Sequence, residues 1–147
     1  KFLHQGRFTR GKGLFTPIEY KPPAEMPDEE YPFQLTTGRV HVHYHTGTMT
    51  RNSPSLEREI NECFLEMHPE DAAEMNVTEG DRVVIASRRG SVSTRVKLTD
   101  STVRKTVFMP FHFLESRANI LTNPAFDPIA KIPEFKVCAV KIEKESR

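Results

Sequence analysis

From Ser91 to Thr99 the chain alternates, with Val92, Thr94, Val96 and Leu98 on one parity and Ser93, Arg95 and Lys97 on the other. Period two over this length belongs to a strand with one face in a core and the other in water. The run before it, Arg82 to Ser87, carries Val83, Val84 and Ile85, and Arg89-Gly90 supplies turn chemistry, so a hairpin is predicted. Further short runs of strand formers lie at Phe33–Thr37, Phe64–Met67, Thr106–Met109 and Phe135–Lys144. Two short helices fit between them. One starts at Ser53-Pro54, with Ser53 as cap, and reaches about Glu62; the other spans His68 to Met75, with Pro69 at its first position and Asn76 suited to a left-handed stop. Acidic residues fall in both first turns, where the helix dipole favours them. No strand–helix–strand periodicity is present. The chain is therefore predicted to be mainly β, a small closed or nearly closed barrel with two or three short helices.

The chain is one domain in size, and its net charge of +1 gives no global field for nucleic acid or an anionic membrane. No apolar run is long enough to span a bilayer, and no signal-peptide pattern is present. A cytoplasmic location is expected, with the periplasm as the alternative. Cys63 and Cys138 stand far apart, outside any C-x-x-C pair and inside apolar runs, which predicts two buried thiols rather than metal ligands.

Residues 1–30 are connector-like, with Gly6, Gly11, Gly13, Pro17, Pro22, Pro23 and Pro27 and no periodicity. They are expected to form an extended strap toward a preceding domain outside this chain, with Phe2, Leu3, Phe8, Leu14 and Phe15 as anchors. Residues 31–147 are expected to form the barrel domain. Phe111 to Glu134 is long and rich in Phe, Ile and Leu, which predicts a functional loop packed on something.

The chemistry concentrates in Thr36–Thr50, Thr-Thr-Gly-Arg-Val-His-Val-His-Tyr-His-Thr-Gly-Thr-Met-Thr. Gly38 permits a turn or the close approach of a ligand. Arg39 offers five fixed donors for planar acceptors or phosphate. His41, His43 and His45, if extended, would point to one side. No Asp or Glu occurs from Tyr31 through Leu56, where about three or four would be expected at the chain's average. Glycines, hydroxyls, imidazoles and arginines without carboxylates suit a polar anionic ligand. The bland alternative is a hydroxyl-rich turn after a core strand. A metal held by the three imidazoles would want a carboxylate or cysteine close by, and none is near in sequence. Neither a nucleophile elbow nor a P-loop is present. By residue type, Asn119 and Lys136 are the best distant candidates to complete an anion site.

Ordered blocks along the chain carry a resemblance. Tyr31-Pro-Phe-Gln-Leu-Thr-Thr-Gly-Arg39, His43-Tyr-His-Thr-Gly-Thr-Met-Thr50, His68-Pro-Glu-Asp-Ala-Ala73, Val107-Phe-Met-Pro-Phe-His-Phe113, Asn119-Ile-Leu-Thr122 and Pro133-Glu-Phe-Lys-Val-Cys-Ala-Val140 resemble the molybdopterin dinucleotide-binding domain. That domain is the C-terminal part of the bis-pterin molybdenum or tungsten oxidoreductases. The approach segment Gly13–Ala24 is most like formate dehydrogenase α subunits. The resemblance implies a double-psi β-barrel and a molybdopterin guanine dinucleotide ligand. It places Thr37, Gly38, Arg39, His43, His45, Thr46, Asn119 and Lys136 at cofactor-contact positions, and Phe111 along the same cleft. It implies no metal ligand and no catalytic residue in this chain. Those elements, and an iron–sulfur cluster, belong to earlier parts of the subunit. In the full subunit, formate would be oxidised to carbon dioxide and electrons passed on through iron–sulfur centres. The implied partners are the other domains of the α subunit and an electron-transfer iron–sulfur or diaphorase subunit. Two rival readings stand beside this one, a stand-alone barrel used as a binding or adaptor module and a small metal enzyme built on the histidine trio.

Overall fold

The computed structural model of the chain describes residues 3–145. Phe2, one of the expected strap anchors, lies outside them. Six strands form a closed barrel in the order β1-β5-β2-β4-β3-β6. They are β1 (Phe33–Gly38), β2 (Phe64–Met67), β3 (Arg82–Ser87), β4 (Gly90–Leu98), β5 (Thr106–Pro110) and β6 (Cys138–Lys144). Helix α1 (Pro54–Glu59) lies between β1 and β2, and α2 (Pro69–Glu74) between β2 and β3. Short 3-10 turns at Thr50–Asn52, Leu114–Ser116 and Ala118–Ile120 complete the secondary structure.

The alternation in sequence becomes alternation in burial along β1, β3, β4 and β5. Leu35, Leu65, Met67, Val83, Ile85, Val96, Val107, Met109 and Val140 point inward and are fully buried. Two pairings are parallel, β1 with β5 and β2 with β4, and the others are antiparallel. Exchanging β1 with β4, β2 with β5 and β3 with β6 maps this set of pairings onto itself. This internal two-fold, with two parallel pairs locked into one closed barrel, is the double-psi arrangement that the resemblance implies.

The parallel pair β1/β5 positions the functional region. Gly38 lies opposite Pro110, so the chain leaves both strands at the same end of the barrel. The Phe111 amide donates to the Gly38 carbonyl at 3.2 Å and keeps the two exits together.

Several local expectations are revised. The hairpin turn is Arg88-Arg89, because Gly90 already pairs with Ser87. Gly90 is a glycine for packing, since a Cβ there would meet Ile120 Cγ2 at 2.6 Å. Helix α1 stops at Glu59, and Ser53 precedes it without a side-chain capping bond. The last strand begins at Cys138, while the segment before it is irregular. Asn76 does take the left-handed conformation, at φ 55°.

The strap divides into two parts. Phe15, Ile18 and Tyr20 are 97%, 90% and 84% exposed, so they do not anchor on this barrel. Its last residues do. Glu25 accepts from Arg89 at 2.7 and 2.8 Å, from Arg88 at 2.8 Å and from the Ala139 amide at 3.2 Å. Partial burial opposes the charge on Glu25, but the two guanidiniums outweigh it and hold the carboxyl below its usual range. Among the described residues no helix is long and apolar enough to cross a membrane.

Both cysteines are buried and free. Burial pushes the Cys63 thiol up to about 12 and the Cys138 thiol up to about 11. The folded values lie above the ordinary 9.0, so stability is intact below pH 9 and falls as pH rises toward them. Urea midpoints should therefore drop between pH 9 and 11, and Cys63→Ala/Cys138→Ala should flatten that drop. A thiol reagent at pH 8 should label neither site until the chain unfolds.

Candidate functional site

The exits of β1 and β5 open into a cleft of about 680 Å³. Thr37 and Arg39 come from the end of β1, His45 and Thr46 from the turn beyond it, and Phe111 from the exit of β5. Asn119, from the Ala118–Ile120 turn, and Phe135 and Lys136, from the approach to β6, close the circle. Seven of the nine sequence-predicted residues thus meet at one site, although they span 99 positions from Thr37 to Lys136.

The two that do not line the cleft have other work. Gly38 was expected to admit a ligand or make a turn, yet it continues β1 with extended pairing. A Cβ at this position would meet the Phe108 ring at 2.6 Å, so glycine is needed there for packing against β5. His43 was expected to face the ligand. Its side chain is instead fully buried, with Nε2 2.6 Å from the Ile60 carbonyl and Nδ1 3.2 Å from the Thr50 hydroxyl.

The reason is that the histidine stretch is not extended. Every slot in the barrel is already taken, so residues after Gly38 have no ladder to join and fold into successive turns. Gly47 N–H donates to Tyr44 C=O at 2.9 Å and Arg51 N–H to Gly47 C=O at 2.8 Å. Val40, Val42 and His43 are buried, whereas His41 and His45 are exposed. The three imidazoles therefore do not share a face. Among the described residues no three His, Cys, Asp or Glu side chains gather as metal ligands.

His45 sits at φ 46°, a left-handed conformation that costs a non-glycine residue about 1 kcal/mol or more. Gly47 is left-handed too, at φ 74°, and a Cβ there would meet Arg51 Cδ at 2.8 Å and the His112 carbonyl at 3.1 Å. Beneath these turns Arg51 bonds Glu57 and Glu115 and lies 4.9 Å from the centre of the Phe113 ring.

The cleft itself is electrostatically open. Its lining contains Arg39 and Lys136 and no carboxylate. Arg51, Arg88, Arg89 and Arg104 form ion pairs, whereas Arg39 forms none among the described residues. The Lys136 ammonium donates to the Thr37 carbonyl, and the Thr37 hydroxyl donates to the Phe135 carbonyl at 2.7 Å. These bonds fasten the approach to β6 onto the end of β1. They also commit the Thr37 hydroxyl, which leaves Thr37 a wall of the cleft. Lys136 keeps two ammonium protons for a ligand. Phe135 is the lining residue that sequence reasoning missed; its place beside Lys136 was the available signal. The donor set is two cations, an amide, a hydroxyl and an imidazole beside two aromatic rings. It fits a large ligand that carries phosphate and a flat heteroaromatic system.

The chain belongs to a family of cofactor-binding domains. The family described as "Molydopterin dinucleotide binding domain" matches residues 33–139, most of the barrel and all of the cleft. The chain is 51% identical over 146 residues to the "F420-dependent formate dehydrogenase subunit alpha" of Methanocaldococcus jannaschii, covering 98% of this chain and 22% of that protein. It is 55% identical over 134 residues to the "F420-dependent formate dehydrogenase 1 subunit alpha" of Methanococcus maripaludis, covering 91% of this chain and 20% of that protein. The chain thus spans about a fifth of the length of these curated relatives. Among solved structures, acetylene hydratase from Pelobacter acetylenicus shares the fold. Its TM-score is 0.76 at 14% identity, over 86% of this chain and 21% of that one.

Gly38→Ala tests the packing explanation for that glycine. The new methyl would press on the Phe108 ring and should destabilise the chain by about 1–3 kcal/mol, read from denaturant midpoints. An unchanged midpoint would mean that the space beside Gly38 belongs to the cleft.

Proposed function

We propose that this chain holds molybdopterin guanine dinucleotide in the cleft between the β1 and β5 exits, as one domain of a formate dehydrogenase-like α subunit. The observation that carries the reading is the unneutralised pair Arg39 and Lys136 in a cleft without carboxylates. Arg39 would take a phosphate or a planar acceptor through its fork of donors, and Lys136 would act as a point charge. Asn119, His45 and the Thr46 hydroxyl would meet polar heteroatoms. Phe111 and Phe135 would cover ring faces. The exposed positions of Arg39, His45, Thr46, Asn119 and Lys136 fit this role.

When bound, the cofactor supplies the molybdenum or tungsten centre at which formate is oxidised to carbon dioxide, with release of one proton and two electrons. The role of this chain is binding and orientation. Its fixed donors settle which groups of the ligand point into the protein, and its aromatic walls keep water from one side. Residues 1–30 serve as the strap to a preceding domain of the subunit, and residues 31–147 as the cofactor domain. The exposed Phe15, Ile18 and Tyr20 are suited to cover a neighbouring domain. The similarity to F420-dependent relatives favours F420 as the acceptor that the electrons finally reach, by way of iron–sulfur centres in the rest of the enzyme.

The test is cofactor retention in the full subunit. Arg39→Ala and Lys136→Ala should each lower molybdenum or tungsten content after gel filtration, by at least about tenfold if a charge-assisted bond worth about 1.5–3 kcal/mol is lost. The barrel should keep its unfolding midpoint in Arg39→Ala, whereas Lys136→Ala also gives up the bond to the Thr37 carbonyl and should lower the midpoint slightly while leaving the chain folded. Full metal content in the double variant would sink the assignment.

A further inference from the structure

His112 belongs to none of the groups assigned to the cleft, yet it lies directly under the turns that form the rim. It follows Phe111 at the exit of β5 and is 1% exposed. Its Nε2 accepts the Val40 amide proton at 3.0 Å, and its Nδ1 donates to the His45 carbonyl. One buried ring therefore grips both ends of the Val40–His45 segment. Arg39 precedes the first grip, and His45 and Thr46 sit at the second. The second grip falls on the left-handed residue of the rim, whose backbone needs outside support. The His112 carbonyl also lies against the point where a Cβ on Gly47 would go.

We propose that His112 is a positioning residue: as the neutral Nδ1–H tautomer it clamps the rim turns and so fixes Arg39, His45 and Thr46 along the cleft. The clamp is a property of this chain. Its value for cofactor binding rests on the reading given under Proposed function.

The bond directions dictate the tautomer. A carbonyl can only accept, so Nδ1 carries the proton; an amide can only donate, so Nε2 must be bare. A second proton would turn Nε2 into a donor facing the Val40 N–H. The surroundings resist that proton. Burial first, and then the nearby positive ends of His43, Arg39 and His45, hold the His112 imidazole below its ordinary range, against the support of the His45 carbonyl. The His43 ring centre is 5.8 Å away. The carboxylates closest in the network, Glu57 and Glu115, are bound to Arg51. The clamp is thus whole at neutral pH and released as pH falls below the ordinary imidazole range.

The test uses nitrogen NMR and amide exchange on the chain without cofactor, followed by metal content in the full subunit. The His112 ring should show a protonated Nδ1 and a bare Nε2 at pH 7. In His112→Ala, Val40 amide exchange should accelerate at least about tenfold, because its buried partner is gone. The His45 and Thr46 resonances should broaden or shift. His112→Asn keeps a donor near Nδ1 and should preserve the His45 turn while freeing Val40. His112→Gln places an acceptor near Nε2 and should restore Val40 protection. A clamp requires this split between the two amides, whereas general loss of packing would move both variants alike. An Nε2-protonated ring, or Val40 exchange unchanged in His112→Ala at matched stability, would overturn the proposal. If the rim loosens in His112→Ala while the subunit keeps its metal, the clamp stands and the cofactor assignment of the cleft fails.

Discussion

Parallel pairing between β1 and β5 is the constraint on which the site depends. It sets Gly38 beside Pro110, residues far apart in sequence, and sends both strand exits the same way. The β1–β2 and β5–β6 connections are the two stretches that carry the cleft residues. An antiparallel pairing would have put them at opposite ends of the barrel. The related parallel pair, β2 with β4, does the same at the other end, where Thr99 N–H bonds Met67 C=O at 3.0 Å. There the two connections pair their charges with each other. Asp71 is wholly buried and accepts from Arg104 Nε at 3.1 Å and from the Lys105 amide at 2.6 Å. Glu70 and Glu74 also pair with Arg104 and Lys105. One topology thus yields two junctions, one closed by its own ion pairs and one left cationic.

That contrast gives the missing carboxylates between Tyr31 and Leu56 a physical meaning. A carboxylate near Arg39 would do what Glu25 does to Arg89 and satisfy the guanidinium within the chain. Arg51, in the same stretch, is satisfied in this manner by Glu57 and Glu115, and it serves to brace the turns. Which arginine is tied into the chain and which has no ion pair among the described residues follows from where the acids are placed. Net charge near zero conceals this, because the balance is local.

The strands were legible because a barrel wall is half buried, and half burial writes itself as period two. Ser91–Thr99 and Arg82–Ser87 show this best. The closing order was not legible from periodicity, since alternation says which face is inward and nothing about which strand is the neighbour. The site was legible by residue type and by resemblance: Arg39, Asn119 and Lys136 are donors whose convergence the fold supplies. Phe135 escaped because an aromatic residue beside a lysine reads equally well as packing. The packing roles of Gly38 and Gly90 were not legible, for a shared reason. Each stands where a bulky side chain, Phe108 or Ile120, comes down on the backbone across the structure, a contact that neighbouring residues cannot reveal. The histidine stretch was legible only as a condition, since three imidazoles at period two share a side only if the piece is extended, and no strand is free there to pair with it.

Placement sorts those histidines into two jobs. His43 and His112 are buried, and all four of their ring nitrogens have partners within the chain, three of them on the backbone. An imidazole bound in this way has no lone pair left for a metal or a cofactor. Its use is to tie loop segments that have no ladder of their own, which a side chain with two hydrogen-bonding atoms on a rigid ring does well. His45 is outside, held by its carbonyl to His112, with its own ring free of the interior. The outer imidazole can therefore meet a ligand because the inner ones are spent on holding its backbone in a conformation it would not otherwise keep.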